Sequence, residues 1–348
     1  MVKAIYKGEE KMKMKHVLAV VLLFVTVLIS ACSTEEKKDA AKQAAEKESL
    51  KVAIWSKPIT EQTNLLVDKE KGFFADNGLD VTVIPGAGGG DAIKNILSGQ
   101  ADIAFTDPGS LYSSLDKGEK LKVIYNIYPQ NVFNIVSLKA SNITKPEDLK
   151  GKTIGVYSLA SGTRQNLLVL LNQVGLSEKD VKIVETGIAN FAPLMQGQVD
   201  ATAATDTGLA VAKQKGLGEV NVIDVKDHLN IPSDVFVVTE KTYEEKKDVL
   251  KKFLESYKNS AEWMIKNPEE AASLAKTYAI DGKDEKQNLE TIKLRNASSI
   301  SELTEKNGLG ALDTTILQQG ADTYQTLGLI TQKLNMEEVV TKELLPKK

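Results

Sequence analysis

The chain has 348 residues, 44 basic and 47 acidic side chains, a net charge of −3, one cysteine and two histidines. This length is enough for two domains of ordinary size. The acidic balance argues against nucleic acid as a partner, because such binding needs a basic face. A single cysteine excludes an intrachain disulfide and a cysteine-based zinc site.

Residues 1–31 have the pattern of a secretion signal. Five lysines precede an apolar run over residues 17–29, which is shorter than the ~20 residues that a membrane-spanning helix needs. The run ends in LISAC at residues 28–32, which resembles a bacterial lipobox, whose cysteine becomes the lipid-carrying N-terminus. We therefore predict a lipoprotein signal peptide at residues 1–31 and lipidation of Cys32.

Residues 32–48 are rich in Lys, Glu and Ala and contain no aromatic residue, which predicts a solvated tether. Without residues 1–31 the chain keeps 39 basic and 45 acidic residues. We expect a monomer held by its lipid at the extracytoplasmic face of the cell membrane. The strong preference for Lys over Arg favours a Gram-positive source.

From residue 50 onward, strand patterns alternate with helical patterns. The first series predicts strands at 50–55, 80–84, 102–105 and 121–127, and helices at 60–71, at 91–98 and from Asp107-Pro108. The second series predicts strands at 132–138, 153–156, 181–185, 201–204, 220–225 and 234–238, and helices at 162–174, 190–196 and 207–215. Such alternation indicates βαβ units and a largely parallel sheet.

The two series share a motif, since residues 97–107 (LSGQADIAFTD) match residues 195–206 (MQGQVDATAATD) with one insertion. This repeated motif predicts an α/β protein with two lobes built on one plan. An apolar stripe over residues 250–265 and helical patterns at 289–299 and 314–327 predict a helical C-terminal tail. We assign residues 49–137 and 235–348 to lobe one and residues 138–234 to lobe two.

Two linking strands, near residues 136–139 and 232–236, are predicted to cross between the lobes as a two-stranded hinge. A cleft would then lie between the lobes, at the carboxyl ends of the parallel strands, where open α/β sheets bind ligands.

Five short motifs carry a family resemblance. They are residues 70–74 (EKGFF), 77–81 (NGLDV), 98–104 (SGQADIA), 148–156 (DLKGKTIGV) and 197–201 (GQVDA). In this order they resemble the substrate-binding proteins of ABC importers for nitrate, sulfonates, taurine and thiamine-pyrimidine precursors. The resemblance implies a type II periplasmic-binding-protein fold, closure of the lobes on a small-molecule ligand, and an ABC permease with its ATPase as partners.

The predicted ligand-binding residues lie in loops that follow the strands. In lobe one they are Trp55, Ser56, Gly86, Gly88, Thr106, Asp107 and Tyr128, and in lobe two they are Ser158, Ser161, Gly162, Thr163, Arg164, Asn190, Thr205 and Asp206.

Each of these residue types also has a structural explanation. Trp55 either stacks on a planar ligand or packs beneath the linker. The glycines of residues 86–90 either cradle an anion or form a flexible turn. Ser161 and Thr163 suit a polar ligand and also suit helix capping, and capping is the explanation we favour for Asp107 and Asp206.

Arg164 is one of only two arginines in the chain. A cation in the first turn of a helix is unfavourable by ~0.3–1 kcal/mol. An anion nearby would offset this cost, whether it is the ligand or an acidic side chain such as Asp206. On this ground Arg164 is predicted to contact an anionic ligand.

The sequence contains no catalytic triad, phosphate-binding loop or metal-ligand cluster, and His228 is the one histidine beyond the signal. No cofactor and no metal are predicted. The predicted function is capture of a sulfonate-like, taurine-like or nitrate-like anion, or of a thiamine-pyrimidine-like ring, for an ABC importer. The alternatives are a carboxylate-based enzyme on the same fold and a ligand sensor that docks on a membrane receptor.

Overall fold

The computed structural model describes residues 47–348, so the predictions for the signal peptide, for Cys32 and for most of the tether lie outside the described residues. The strands are β1 (Glu48–Ile54), β2 (Leu79–Ile84), β3 (Ile103–Thr106), β4 (Leu121–Tyr128), β5 (Phe133–Leu138), β6 (Thr153–Val156), β7 (Lys182–Glu185), β8 (Ala201–Thr205), β9 (Val220–Asp224) and β10 (Asp234–Thr239). β1 begins at the last residue of the predicted tether.

The helices alternate with these strands and then follow them. They are α1 (Thr63–Leu66), α2 (Asp68–Lys71), α3 (Gly89–Leu97), α4 (Pro108–Leu115), α5 (Gly162–Gln173), α6 (Ala192–Met195), α7 (Asp206–Gln214), α8 (Glu240–Glu245), α9 (Lys247–Lys266), α10 (Pro268–Tyr278), α11 (Glu285–Ser298), α12 (Glu302–Asn307), α13 (Thr314–Thr326) and α14 (Met336–Val339). No helix in this described part is both long and apolar enough to cross a membrane.

The strands form two five-stranded sheets of the same design. The first has the order β2-β1-β3-β10-β4 and the second has the order β7-β6-β8-β5-β9. In each sheet the first three strands are parallel, and the fourth runs antiparallel to both of its neighbours. The two lobes predicted from the repeated motif are therefore confirmed as two copies of one sheet plan.

The chain crosses between the lobes at positions that differ in part from the prediction. β5 pairs with β8 and β9 of the second sheet, so the first crossing precedes Phe133 and does not lie near residues 136–139. The return crossing precedes β10. Ser233 N donates to Tyr128 O at 2.9 Å, and Val132 N donates to Ser233 Oγ at 2.9 Å. These bonds tie the two crossings together as a hinge.

The C-terminal helices complete the first lobe. On α9, Leu250, Phe253, Leu254 and Tyr257 are buried at helical spacing and pack against the aromatic side of the first sheet, including Phe236. On its opposite side, Leu317 and Tyr324 of α13 pack with Tyr112 of α4. The second lobe has its own core around α5. The predicted tail is thus a structural part of the lobe that begins the fold.

The predicted helix at residues 60–71 is broken into three pieces. Thr60–Gln62 forms a 3₁₀ turn, α1 follows it, and α2 begins after Val67. Asp281 holds the first turn from the tail, since its Oδ1 accepts both Thr60 N and Thr60 Oγ1 at 2.8 Å. The anchored turn contains Glu61, which lines the cleft between the lobes.

Candidate functional site

The cleft between the two lobes contains two connected chambers. The inner chamber, of about 40 Å³, is lined by Trp55, Glu61, Gly88, Gly89, Asp107, Val132, Phe133, Tyr157, Ser161, Gly162, Thr163, Thr205, Asp234 and Arg295. The outer chamber, of about 270 Å³, shares Trp55, Glu61, Tyr157, Thr163 and Thr205 with it and adds, among others, Ser56, Ile59, Ile188, Asn190, Phe191, Met195, Val211, Lys215 and Asp281.

Two aromatic side chains from opposite lobes meet where the chambers join. Trp55 follows β1 and Tyr157 follows β6, and their ring centroids lie 5.9 Å apart at an interplanar angle of 88°. Trp55 Nε1 is buried and has no hydrogen-bond partner among residues 47–348. Buried donors in native proteins are normally paired, so a bound acceptor would satisfy this indole.

An ion-pair cluster around Arg295 crosses the cleft. Arg295 is only 1% exposed, and its Nε donates to Glu61 Oε2 at 2.9 Å. Its Nη1 donates to Asp206 Oδ1 at 2.8 Å, and its Nη2 donates to Thr207 Oγ1 at 2.8 Å. Thr207 Oγ1 in turn donates to Glu61 Oε2 at 3.0 Å. We call Glu61, Arg295, Asp206 and Thr207 the Arg295 cluster.

The Arg295 cluster keeps its arginine charged. Burial disfavours the guanidinium, but the carboxylates of Asp206 and Glu61 outweigh burial and raise the pKa of Arg295. Its guanidinium also lies 5.2 Å above the ring of Tyr128, in a cation–π arrangement. Since Arg295 is already bound to Glu61, Asp206 and Thr207, it has little capacity left for an anionic solute.

Two further carboxyl groups face the inner chamber. Asp107 caps α4, with Ser110 N and Ser110 Oγ donating to it at 2.8 and 2.7 Å, and burial raises its pKa. Asp234, the first residue of β10, is 6% exposed. Burial, with the nearby Asp107 and Glu61, raises the pKa of Asp234 well above its ordinary value. This shift favours the protonated acid, which can donate as well as accept.

The glycine-rich loop before α3 makes a second contact between the lobes. Gly90 N donates to Ala160 O at 2.9 Å, and Ser158 Oγ donates to Ala87 O. Gly88 has φ of +131°, and a Cβ there would overlap Ala160 O. Only glycine allows the backbones to come this close at residue 88. Because these contacts join the two lobes, the described arrangement is a closed one.

Nine of the predicted ligand-binding residues line a chamber. They are Trp55, Ser56, Gly88, Asp107, Ser161, Gly162, Thr163, Asn190 and Thr205. The hydroxyls of two of them are engaged within their own loop: Ser161 Oγ donates to Ser158 O at 2.6 Å, and Thr163 Oγ1 accepts from Tyr157 N at 3.0 Å. They shape the wall of the chamber at least as much as they offer groups to a solute.

Four other predicted residues lie beside the chambers and support them. Gly86 forms a turn in which its N donates to Ser56 O at 3.0 Å. Thr106 is fully buried behind the glycine-rich loop, Tyr128 lies beneath Arg295, and Ser158 joins the two lobes.

Arg164 lies outside both chambers, which corrects the expectation that it faces the solute. Its Nε donates to Glu178 Oε1 at 3.1 Å on the surface of lobe two. Glu178 is therefore the anion that its position in the first turn of α5 requires. Asp206, considered above as the partner of Arg164 and as a helix cap, instead pairs with Arg295, and the Thr205 side chain caps α7.

The prediction omitted three charged residues of the inner chamber: Glu61, Asp234 and Arg295. Arg295 could have been weighed as the second of two arginines. Glu61 and Asp234 gave no sequence signal, because one lies within an ordinary helical pattern and the other begins an ordinary strand pattern.

The inner chamber is lined by more acidic than basic groups. Three carboxyl groups, Glu61, Asp107 and Asp234, line it against one arginine. Within residues 47–348 no group of three or more His, Cys, Asp or Glu side chains is arranged to hold a metal ion.

Two sheets of one order, closed over a cleft beside a two-stranded hinge, define the type II periplasmic-binding-protein fold. A family model described as "NMT1/THI5 like" matches residues 59–271, and the chain belongs to this family. The resemblance read from the five motifs is thereby confirmed.

Three relatives align along most of their length. A putative thiamine biosynthesis protein of Haemophilus influenzae is 28% identical, over 85% of this chain and 91% of its own. The riboflavin-binding protein RibY of Chloroflexus aurantiacus is 25% identical, over 93% and 96%. The formylaminopyrimidine-binding protein of Halalkalibacterium halodurans is 24% identical, over 84% and 87%.

Solved structures share the fold. The alkanesulfonate-binding protein SsuA of Xanthomonas axonopodis pv. citri, bound to MOPS, superposes with a TM-score of 0.69 at 16% identity, covering 86% of this chain and 99% of that chain.

Proposed function

We propose that the protein is the solute-binding component of an ABC importer and that it captures a planar nitrogen heteroaromatic molecule. The observation that carries this proposal is the composition of the cleft: an aromatic pair from opposite lobes, Trp55 and Tyr157, stands beside three carboxyl groups. A flat ring packs on aromatic side chains. Ring N–H or amino groups donate to carboxyl oxygens, and those hydrogen bonds that reach an ionised carboxylate are stronger than neutral ones.

The same composition disfavours nitrate, taurine and other sulfonates. An anion in the inner chamber would lie among Glu61, Asp107 and Asp234, and the nearby Arg295 is already bound to two carboxylates. The carboxylate of Glu61, which is ion-paired with Arg295, would repel such an anion at close range in this poorly solvated site, and so would Asp107 or Asp234 whenever either is ionised. The names of two relatives support the heteroaromatic class, since one binds riboflavin and the other binds formylaminopyrimidine.

The test uses the two tryptophans of the chain, Trp55 and Trp263. Calorimetry on the purified protein would compare 4-amino-5-hydroxymethyl-2-methylpyrimidine and riboflavin with taurine and an alkanesulfonate. Trp55→Leu should weaken heteroaromatic binding by about 1–3 kcal/mol, the range found for nucleobases stacked on aromatic side chains. Trp263 packs on Phe73 outside both chambers, so Trp263→Leu is the matched control and should leave the affinity unchanged.

The outcomes separate the two ligand classes. Binding of a heteroaromatic that depends on Trp55 and not on Trp263 supports the proposal. Binding of a sulfonate alone would overturn the ligand class and leave the fold intact. Conversion of the bound molecule into a product would replace the binding role by an enzymatic one.

The proposed cycle follows from the hinge. Solute binding favours the closed lobes, and the closed form docks on a permease served by its ATPase. We also propose that Cys32 carries a lipid and that the predicted tether, residues 32–48, holds the monomer at the extracytoplasmic face of the cell membrane. Loss of membrane association in Cys32→Ser, with unchanged solute affinity, is the expected result.

A further inference from the structure

The two chambers differ greatly in size. A single water molecule needs ~10–15 Å³ of cavity, so the inner chamber of about 40 Å³ has room for a few atoms but not for a whole ring. The outer chamber of about 270 Å³ is several times larger. A planar solute that reaches the inner carboxyl groups therefore leaves most of its body in the outer chamber.

The outer chamber offers mainly apolar side chains. They are Ile59 from lobe one and Ile188, Phe191, Met195 and Val211 from lobe two. Ile188 is 48% exposed and Met195 is 42% exposed. Large apolar side chains grouped on a concave surface are typical of a ligand groove, and covering them contributes binding free energy.

The inner chamber, in contrast, offers mixed hydrogen bonding. Asp234 is more than nine-tenths buried, its side chain has no hydrogen bond to any residue from 47 to 348, and it lines the cavity. Trp55 Nε1 at the junction is a donor without a partner in the same part of the chain. Together a carboxyl group and an indole donor suit a ring edge on which N–H groups alternate with acceptors.

We propose that the solute has two parts: a ring edge with N–H donors and acceptors that enters the inner chamber, and a fused-ring apolar body that fills the outer chamber. This inference rests on the proposed function and narrows it. A single pyrimidine ring at the junction would fill only part of the outer chamber of about 270 Å³, which Ile188 and Val211 line. A bicyclic or tricyclic heteroaromatic covers them and reaches the carboxyl groups at the same time.

The experiment compares the affinities of a ligand with three fused rings and a ligand with one ring. Calorimetry would measure riboflavin, with three fused rings, against 4-amino-5-hydroxymethyl-2-methylpyrimidine, with one. Both would be titrated into the wild type, into Ile188→Ser, and into the control Val222→Ser. Val222 is 38% exposed on β9 and lies outside both chambers, so the control removes a similar exposed apolar side chain.

We expect riboflavin to bind at least tenfold more tightly than the single ring. Ile188→Ser should reduce riboflavin affinity roughly tenfold, equivalent to about 1.4 kcal/mol, and should leave single-ring affinity unchanged, while Val222→Ser changes neither. Equal or tighter binding of the single ring, or an equal loss for both ligands, would overturn the two-part solute and leave the heteroaromatic proposal standing. Binding of an alkanesulfonate and of neither ring would overturn both.

Discussion

The two arginines of this chain occupy opposite kinds of surroundings. Arg164 is 22% exposed and pairs with one glutamate 14 residues away on the surface of its own lobe. Arg295 is 1% exposed and joins Glu61 of one lobe to Asp206 and Thr207 of the other. The sequence shows that arginine is rare in this chain, but only the partners of each arginine show whether it belongs to a surface ion pair or to the ligand-binding cleft.

The two arginines also differ in how much their ion pairs contribute to stability. A surface ion pair is screened by water and contributes ~0–1 kcal/mol. A buried pair pays a large desolvation cost and becomes indispensable once it is formed, because removal of one partner leaves the other buried and uncompensated.

Replacement of Arg295 should be the most damaging change. Arg295→Met leaves Glu61, which is 5% exposed, as a buried carboxylate without its partner, and should lower the free energy of unfolding by about 3–5 kcal/mol. Urea denaturation measures this loss. The double variant Arg295→Met/Glu61→Gln removes both charges and should recover part of it. A loss below about 1 kcal/mol in the single variant would contradict a buried ion-pair cluster.

The second contact between the lobes depends on Gly88. Gly88→Ala adds a Cβ that overlaps Ala160 O at a φ of +131°, a strain of about 1–3 kcal/mol. The φ strain belongs to the local backbone, but the overlap with Ala160 O arises only when the lobes meet, so solute affinity should fall as well as stability. Gly99 also has a positive φ, of +73°, but has open space around it, so Gly99→Ala is the control without an overlap between the lobes. It should reduce stability and leave affinity intact; equal affinities for the two variants would contradict the contact.

Asp234 should make stability depend on pH. Its pKa is raised well above the ordinary value, mainly by burial, so the folded state binds more protons than the unfolded state above pH ~3.9. Stability is then fully present below that pH and is lost as pH rises through the folded pKa. Asp234→Asn should therefore raise the Tm by a few degrees at neutral pH, and the gain should vanish near pH 4. A gain that persists there would exclude titration of Asp234 as its cause.

Replacement of Arg164 should have the smallest effect. Arg164→Ala removes a partly exposed pair with Glu178 and should lower stability by at most about 1 kcal/mol. Its solute affinity should equal that of the wild type, because Arg164 lines neither chamber. A tenfold loss of affinity would show that Arg164 contributes to solute binding and would contradict the contrast with Arg295.

The local elements and the plan of the fold could be predicted from the sequence. Alternating strand and helix patterns, glycine turns and the motif repeated at residues 97–107 and 195–206 predict two α/β lobes, and nearly every strand lies within one or two residues of its prediction. These features are local, since side-chain periodicity and backbone turn preference act over a few residues. The loops after the strands are fixed by the same plan, so Trp55, Asp107 and Thr205 were predicted in the cleft.

Long-range packing, in contrast, establishes which lobe contains β5, where the segment at residues 60–71 breaks, and which charged residues share the site. A strand pattern does not specify its pairing partner, and β5 pairs with β8 and β9 within the second sheet. Glu61 and Arg295 are 234 residues apart in the chain. Their contact depends on the packing of α11 between the lobes, and the periodicity of neighbouring residues cannot predict a contact between residues so far apart in the chain.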